Sequence, residues 1–221
     1  MDARLALFLA VVVFVAAAGA VAYRRKRARV RGERGALFRD VWKMFDGVEE
    51  AQDDVDFPVL TGERAGHRWR LEPVVDSLTY RKLPSLWLCV TCYADLGTEA
   101  PVSVLLRPTG NEFFSPNRGY AHELPPPDGC PAHARVATPV AGAPPVPLGP
   151  VGMLLGEQAT KEVLLSARGV RVVRQVGEAR QGAYRVGRRI DLGAPVVDAD
   201  DLARVCDAMV ATVTERAGVA S

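Results

Sequence analysis

The cysteines at positions 89 and 92 form a C-x-x-C pattern, a spacing that metal knuckles and redox sites use. Those sites place both sulfurs on a turn or at the start of a helix. Here the two intervening residues are β-branched, and the run 86–93 has the pattern of a strand. The two side chains then point to opposite faces, with Cα atoms about 10 Å apart, too far for a disulfide or a shared metal. With Cys130 and Cys206 isolated in sequence, we expect four reduced, packing cysteines.

A second group of metal-ligand residue types falls in a proline-rich stretch and comprises His122, Glu123, Cys130 and His133. Its spacing fits no zinc pattern, and the prolines exclude a helix that would align two histidines. The chain also lacks a Gly-rich phosphate loop and a G-x-S-x-G nucleophile elbow. We expect no cofactor, no metal and no catalytic residue, and these absences favour a binding protein over an enzyme.

The remaining chemical candidate is a cluster of arginines late in the chain. Alternation along two predicted strands, 170–176 and 183–190, places Arg171, Arg185 and Arg189 on one outward face, opposite Val172. Several guanidinium groups on a rigid face can bind phosphate or carboxylate groups. The alternative is a solvated sheet face whose charge nearby acidic residues neutralise.

The N-terminal segment must position everything that follows it. Residues 5–23 are 19 uncharged, mostly apolar residues, enough for a helix of about 28 Å that spans a bilayer. A basic collar follows at once: Arg24, Arg25, Lys26, Arg27, Arg29 and Arg31. Small residues near position 20 leave a cleaved signal peptide as an alternative, although the positive cluster just after such a site opposes export.

The charge distribution indicates orientation and partners. Residues 1–31 contain seven basic residues and one acidic residue, whereas residues 32–221 contain 21 basic and 25 acidic residues. The positive-inside rule predicts an N-terminus outside and a cytoplasmic C-terminal domain. Anionic headgroups are the expected partner of the collar, and nucleic acid is not expected as a partner. Arginine outnumbers lysine 24 to 4, a bias of GC-rich genomes, so we expect a bacterial inner membrane.

The rest of the pattern predicts an α+β fold with a mainly antiparallel sheet. We divide the chain into an anchor with its collar (1–31), an amphipathic helix and acidic connector (32–56), and one globular domain (57–221). We expect a hairpin over 57–75 and strands near 86–93, 102–106 and 134–138. The strand near 86–93 should be central, because both of its faces are apolar. Helices near 158–168 and 199–217 should cover the sheet. We expect Gly169 to close the first helix and Asp198 to cap the second, which has an apolar stripe of Leu202, Val205, Cys206, Met209, Val210 and Val213.

Residues 108–152 hold 11 of the 16 prolines, which excludes long regular structure there. These loops either wrap the sheet or form a docking surface for a protein partner. The sequence therefore favours a membrane-anchored interaction or scaffolding module. The alternative is a membrane-tethered enzyme or anion-binding domain that uses the arginine-rich hairpin.

Overall fold

The computed structural model describes residues 3–77, 83–127, 129–180 and 190–219, and it confirms the α+β class. The helices are α1 (Ala3–Gly35) and α2 (Ala199–Val219). The strands are β1 (Asp46–Ala51), β2 (Val59–Arg64), β3 (His67–Asp76), β4 (Ser85–Tyr93), β5 (Val102–Leu106), β6 (His122–Glu123), β7 (Ala134–Thr138), β8 (Thr160–Ser166) and β9 (Gly169–Glu178). Short 3-10 helices cover Trp42–Met44, Pro116–Gly119 and Gly149–Gly156.

Within the described residues the strands form one antiparallel sheet in the order β1-β2-β3-β4-β9-β8-β5-β7-β6. The predicted hairpin is present as β2 and β3, which turn through Ala65 and Gly66, both at positive φ. β4 lies between β3 and β9, as expected of a strand that is apolar on both sides. Cys89 and Cys92 lie on its opposite faces, and both are buried and unpaired.

The first face of the sheet, defined here as the side that packs on α2, holds the main core. Trp69 and Leu71 of β3 are fully buried on this side. The predicted apolar stripe of α2 packs against it through Leu202, Val205, Cys206, Met209 and Val213. The helix begins where expected, because the Asp198 carboxylate accepts a hydrogen bond from the Asp201 backbone N–H at 2.8 Å.

The helix expected near 158–168 is wrong, since this segment forms β8. It pairs with β9 through a tight turn, and with β5 on its other side. Gly169 starts β9 at φ +133°, and a Cβ there would lie 2.0 Å from the Cys92 carbonyl oxygen. Only glycine fits this close approach, so its role is strand packing, and the expected role as a helix cap is wrong.

The amphipathic helix expected within 32–56 is also absent, because after α1 the chain makes turns and one short 3-10 helix. The apolar pattern nevertheless identified core residues, since Leu37, Phe38 and Val41 are fully buried. The expected acidic connector is partly strand, because β1 pairs with β2 from Asp46 to Ala51. Pairing between β1 and β2, which helical periodicity in the sequence does not detect, accounts for this second difference.

α1 contains a stretch, within Leu7–Gly35, that is long and apolar enough to cross a membrane. No part of that stretch is buried against the domain, and Leu7, Val13 and Phe14 are each more than 60% exposed. This exposure excludes a core helix of the domain. The proline-rich segments wrap the sheet, with Leu124, Val146 and Leu148 packing against the first-face core.

Candidate functional site

The second face of the sheet, opposite α2, carries a shallow depression of about 480 Å³ over β3, β4, β9 and β8. Its lining combines arginines with aromatic side chains, and we call it the arginine–aromatic depression. The residues that define it are Arg70, Glu72, Thr91, Tyr93, Phe113, Phe114, Leu164, Arg168 and Arg171. Among the described residues no helix covers this part of the sheet.

Strand register places two of these arginines in one row. Arg70 lies opposite Thr91, and Thr91 lies opposite Arg171, so the guanidinium groups flank a threonine across three strands. In the neighbouring row the Arg68 guanidinium lies 5.2 Å from the centre of the Tyr93 ring. Alternation along rigid strands therefore presents cationic and aromatic groups together on one surface.

Arg171 is the first of the three predicted anion-binding residues, and it lies in this depression. The next residue, Val172, is buried on the other face of the sheet, as the alternation of side chains along a strand requires. Arg185 and Arg189 lie outside the described residues. The Arg171 guanidinium donates to Glu162 Oε2 at 3.0 Å and to the Phe114 carbonyl oxygen at 3.1 Å. Glu162 is fully buried, and its negative charge compensates the positive charge of Arg171.

The other two arginines of the depression differ from each other in pairing. Arg70 Nε donates to Glu72 Oε2 at 3.1 Å, and both side chains are partly exposed. Arg168 is exposed in the turn between β8 and β9, and no carboxylate of the described residues pairs with it. Arg168 is therefore the arginine most available to an incoming group.

A loop over residues 107–119 forms one rim of the depression, and buried ionic groups hold it to the sheet. Lys161 Nζ donates to Glu112 Oε1 at 2.7 Å, and both side chains are almost fully buried. Glu112 also accepts from the backbone N–H groups of Thr109 and Gly110. Burial alone would raise the pKa of Glu112, but the hydrogen bonds from Lys161 and Thr109 outweigh it and lower the pKa to about 2.

The same loop is bound a second time through Glu162. Its Oε1 accepts from the Ser103 and Ser115 hydroxyl groups, each at 2.6 Å. The Asn117 amide donates in turn to the Ser103 hydroxyl and carbonyl oxygens, so strand and loop share one buried network. β8 has a bulge between Thr160 and Glu162, which interrupts the alternation of its side chains. The consecutive residues Lys161 and Glu162 can therefore both reach the loop 107–119.

This anchored loop presents two phenylalanines at the rim. The Phe114 ring lies 6.0 Å from that of Trp87 and closes a small apolar cluster with Cys89 and Val173. Phe113 packs edge-to-face on Phe114 at 5.6 Å but remains 58% exposed. The rim is therefore a rigid support that holds one aromatic side chain in solvent.

Sequence reasoning missed Glu112 and Lys161. It named Glu162 only as one of several acidic residues that could neutralise the arginine face, because the segment 158–168 was assigned to a helix. The available signal was the short turn before Gly169, which joins two runs rich in β-branched and apolar residues and favours a hairpin. Of the four loop residues with metal-ligand side chains, His122 and Glu123 pair with β7 and are exposed, whereas Cys130 packs against the first-face core.

The collar residues lie on the continuation of α1. Arg24, Arg25 and Lys26 are exposed, and Arg29 Nε donates to Glu33 one turn further along the helix. Arg27 Nε donates to Asp54 Oδ1 at 2.6 Å, and Arg31 donates to the Asp54 carbonyl oxygen. The acidic segment after β1 is therefore bound to the collar, in contrast to the free connector that the sequence indicated.

The chemistry that the depression offers is recognition by charge, hydrogen bonds and aromatic contact. Burial raises the pKa of the Cys89 thiol to about 11, so this thiol is neutral near pH 7 and behaves as a packing group. Among the described residues no three His, Cys, Asp or Glu side chains are arranged to hold a metal ion. Comparison of the chain with protein-family models, with curated proteins and with solved structures gives no match.

Proposed function

We propose that the protein is a single-pass membrane-anchored interaction module whose partner binds the arginine–aromatic depression. The single observation that carries this proposal is Phe113, an aromatic side chain more than half exposed on a rim that buried ion pairs hold in place. Arginine and aromatic residues are the side chains enriched at the energetic centres of protein interfaces. A rim fixed before binding also lowers the entropic cost of association.

In this proposal the domain lies on the cytoplasmic side of a bacterial inner membrane. The support is the asymmetry of charge around the apolar part of α1, with six cations in the collar and one, Arg4, before it. The exposed collar side chains then lie at the level of anionic headgroups, where each contributes about 1 kcal/mol of attraction. Four unpaired cysteines are consistent with a reducing compartment.

The alternative is an anion-binding or enzymatic role for the arginine face. The observation that favours it is Arg168, exposed at the depression and without a carboxylate partner among the described residues. Against it, Glu162 already pairs with Arg171, and Glu72 already pairs with Arg70. A small anion would have to compete with both carboxylates, whereas a protein surface can use the aromatic rim as well.

Site-specific crosslinking in native membranes tests the proposal. We expect Phe113→p-benzoylphenylalanine to give a defined adduct that Arg168→Glu abolishes, because the reversed charge repels the same partner. The matched control is Met153→p-benzoylphenylalanine, an apolar residue 73% exposed in the 3-10 helix beside α2. Identical adducts at both positions, or no adduct at Phe113, would reject the interaction module and favour a small ligand.

Topology is tested separately by fusing the C-terminus to an enzyme that is active only outside the cytoplasm. We expect activity no greater than that of a cytoplasmic control, and a fluorescent protein fused at the same point should be bright. High enzyme activity would place the domain outside the cytoplasm. The charge of the collar would then no longer support the proposed orientation.

A further inference from the structure

The membrane helix does not end where its apolar segment ends. α1 continues to Gly35, so residues 24–35 extend it by about 18 Å beyond the apolar run, and we call this extension the stalk. Leu37 and Phe38, directly after it, are fully buried in the core of the domain. The junction between stalk and domain therefore contains no free linker.

Three arginines on one side of the stalk contact the domain. Arg27, Arg31 and Arg34 recur at i, i+4 and i+7, which aligns them on one helix face. Arg27 pairs with the Asp54 carboxylate, Arg31 donates to the Asp54 carbonyl oxygen, and Arg34 donates to the Val55 carbonyl oxygen at 2.8 Å. All three bind the same short loop, residues 52–56.

The loop and Phe57, the residue directly after it, contact the stalk in return. Gln52 Nε2 donates to the Arg31 carbonyl oxygen at 3.0 Å and to the Asp56 carbonyl oxygen at 2.8 Å. The Arg34 guanidinium also lies 5.0 Å from the centre of the Phe57 ring, which is buried in the domain. These contacts join the stalk to the domain by main-chain groups on both sides, a more specific arrangement than loose charge attraction.

The opposite side of the stalk carries a different set of cations. Arg25 and Lys26 are exposed, and neither pairs with a carboxylate of the described residues. Arg29 shares this side, is 81% exposed, and pairs only with Glu33 on the same helix. Arg25 and Lys26 follow the last apolar residue, Tyr23, within one turn and so lie at headgroup depth.

We infer that six cations of the stalk form two surfaces with different partners. Arg27, Arg31 and Arg34 fix the domain to the stalk in one orientation, and Arg25, Lys26 and Arg29 bind the phosphate groups of anionic phospholipids. This inference rests on the membrane anchoring proposed above. Its consequence is that the arginine–aromatic depression is presented at a defined height and angle to the bilayer.

The test measures orientation and lipid selectivity on the full chain in nanodiscs that contain phosphatidylglycerol. Spin labels carried by non-natural amino acids at Tyr23 and Met153 report the stalk-to-domain distance. We expect a narrow distribution that Arg27→Ala/Arg31→Ala/Arg34→Ala broadens by about twofold, because exposed ion pairs are individually weak but act together here. The matched variant Arg25→Ala/Lys26→Ala/Arg29→Ala should leave the width unchanged.

Lipid selectivity should show the reverse pattern. We expect the second triple variant to lower the enrichment of phosphatidylglycerol over phosphatidylcholine around the protein by about twofold, and the first to change it less.

The charge exchange Arg27→Asp/Asp54→Arg should keep the narrow distance distribution, which separates a lost contact from a misfolded domain. A broad distribution in the parent chain, or equal effects of both triple variants, would overturn the inference. Release of the full chain by alkaline carbonate would instead reject the membrane anchoring itself.

Discussion

The two faces of the sheet are stabilised in different ways. The first face is a continuous apolar core in which Trp69, Leu71 and Met209 are fully buried between the sheet and α2. Among the described residues the second face has a small apolar cluster and is held mainly by charged groups, with Glu162 fully buried and Lys161 nearly so. Burial of apolar area stabilises the first face, and buried, hydrogen-bonded ion pairs stabilise the second.

This difference indicates how the fold separates stability from function. An apolar face tolerates small shifts of its neighbours, whereas a buried ion pair requires its partners at bonding distance. The second face uses that requirement to hold the loop 107–119, and with it the exposed Phe113, in one position. The side of the sheet that needs the more exact geometry is therefore the side that presents the candidate binding surface.

The largest expected effect is on the first face. Trp69→Ala should lower the free energy of unfolding by about 4 kcal/mol, because it removes a fully buried aromatic side chain and leaves a cavity. Denaturant unfolding of the full chain in detergent micelles measures this. The matched aromatic control on the second face is Phe113→Ala, which should change stability by less than about 0.5 kcal/mol because the side chain is exposed. Similar losses for both would remove the distinction between the faces.

The second prediction tests the ionic character of the other face. Glu162→Gln should cost about 3 kcal/mol, because Arg171 loses its charged partner while remaining partly buried. In a double-mutant cycle, Arg171→Met added to Glu162→Gln should recover part of this loss. A cost below about 1 kcal/mol, with no coupling in the cycle, would mean that the network is incidental to the position of the rim.

Local patterns in the sequence predicted the parts of the first face that lie on β3 and α2, but not the part on β8, which was expected to be a helix. Alternation along 67–75 identified Trp69 and Leu71 as buried, and the spacing of Leu202, Met209 and Val213 identified the apolar stripe of α2. Both signals arise within a few residues, where strand and helix periods are directly visible. Residues 37–45 show the limit of such patterns. Leu37, Phe38, Val41 and Phe45 of the apolar stripe are buried, but Trp42 of the same stripe is 51% exposed, and the helix itself is absent.

The second face was not predictable in the same way. Glu162 binds the hydroxyl group of Ser103, 59 positions away, and Lys161 binds Glu112 across 49 positions. No short window contains both partners of either contact, and charged residues in such a window favour an exposed assignment. Parity did place Arg171 on the face opposite Val172, but its pairing with Glu162 required the sheet order.

The third prediction concerns pH and the rim. The pKa of Glu112 is about 2 in the folded protein, below its value in the unfolded chain, so its contribution to stability is complete above about pH 4.5 and is lost as the pH falls towards 2. We expect a loss of about 2 kcal/mol over this window. Unfolding curves at a series of pH values measure it. In Glu112→Gln this part of the pH dependence should disappear, and an unchanged slope in the variant would assign the effect to other carboxylates.

The smallest expected effect distinguishes stability from binding on one surface. Arg70 and Glu72 form a partly exposed pair, so Arg70→Ala should cost no more than about 0.5 kcal/mol of unfolding free energy. The same substitution should weaken the crosslink at Phe113, because Arg70 lines the depression beside Thr91. Unfolding curves and adduct yield, measured on the same membranes, compare the two effects. A large loss of stability with an unchanged adduct would assign Arg70 to the framework of the second face and would restrict the binding surface to Arg168 and the aromatic rim.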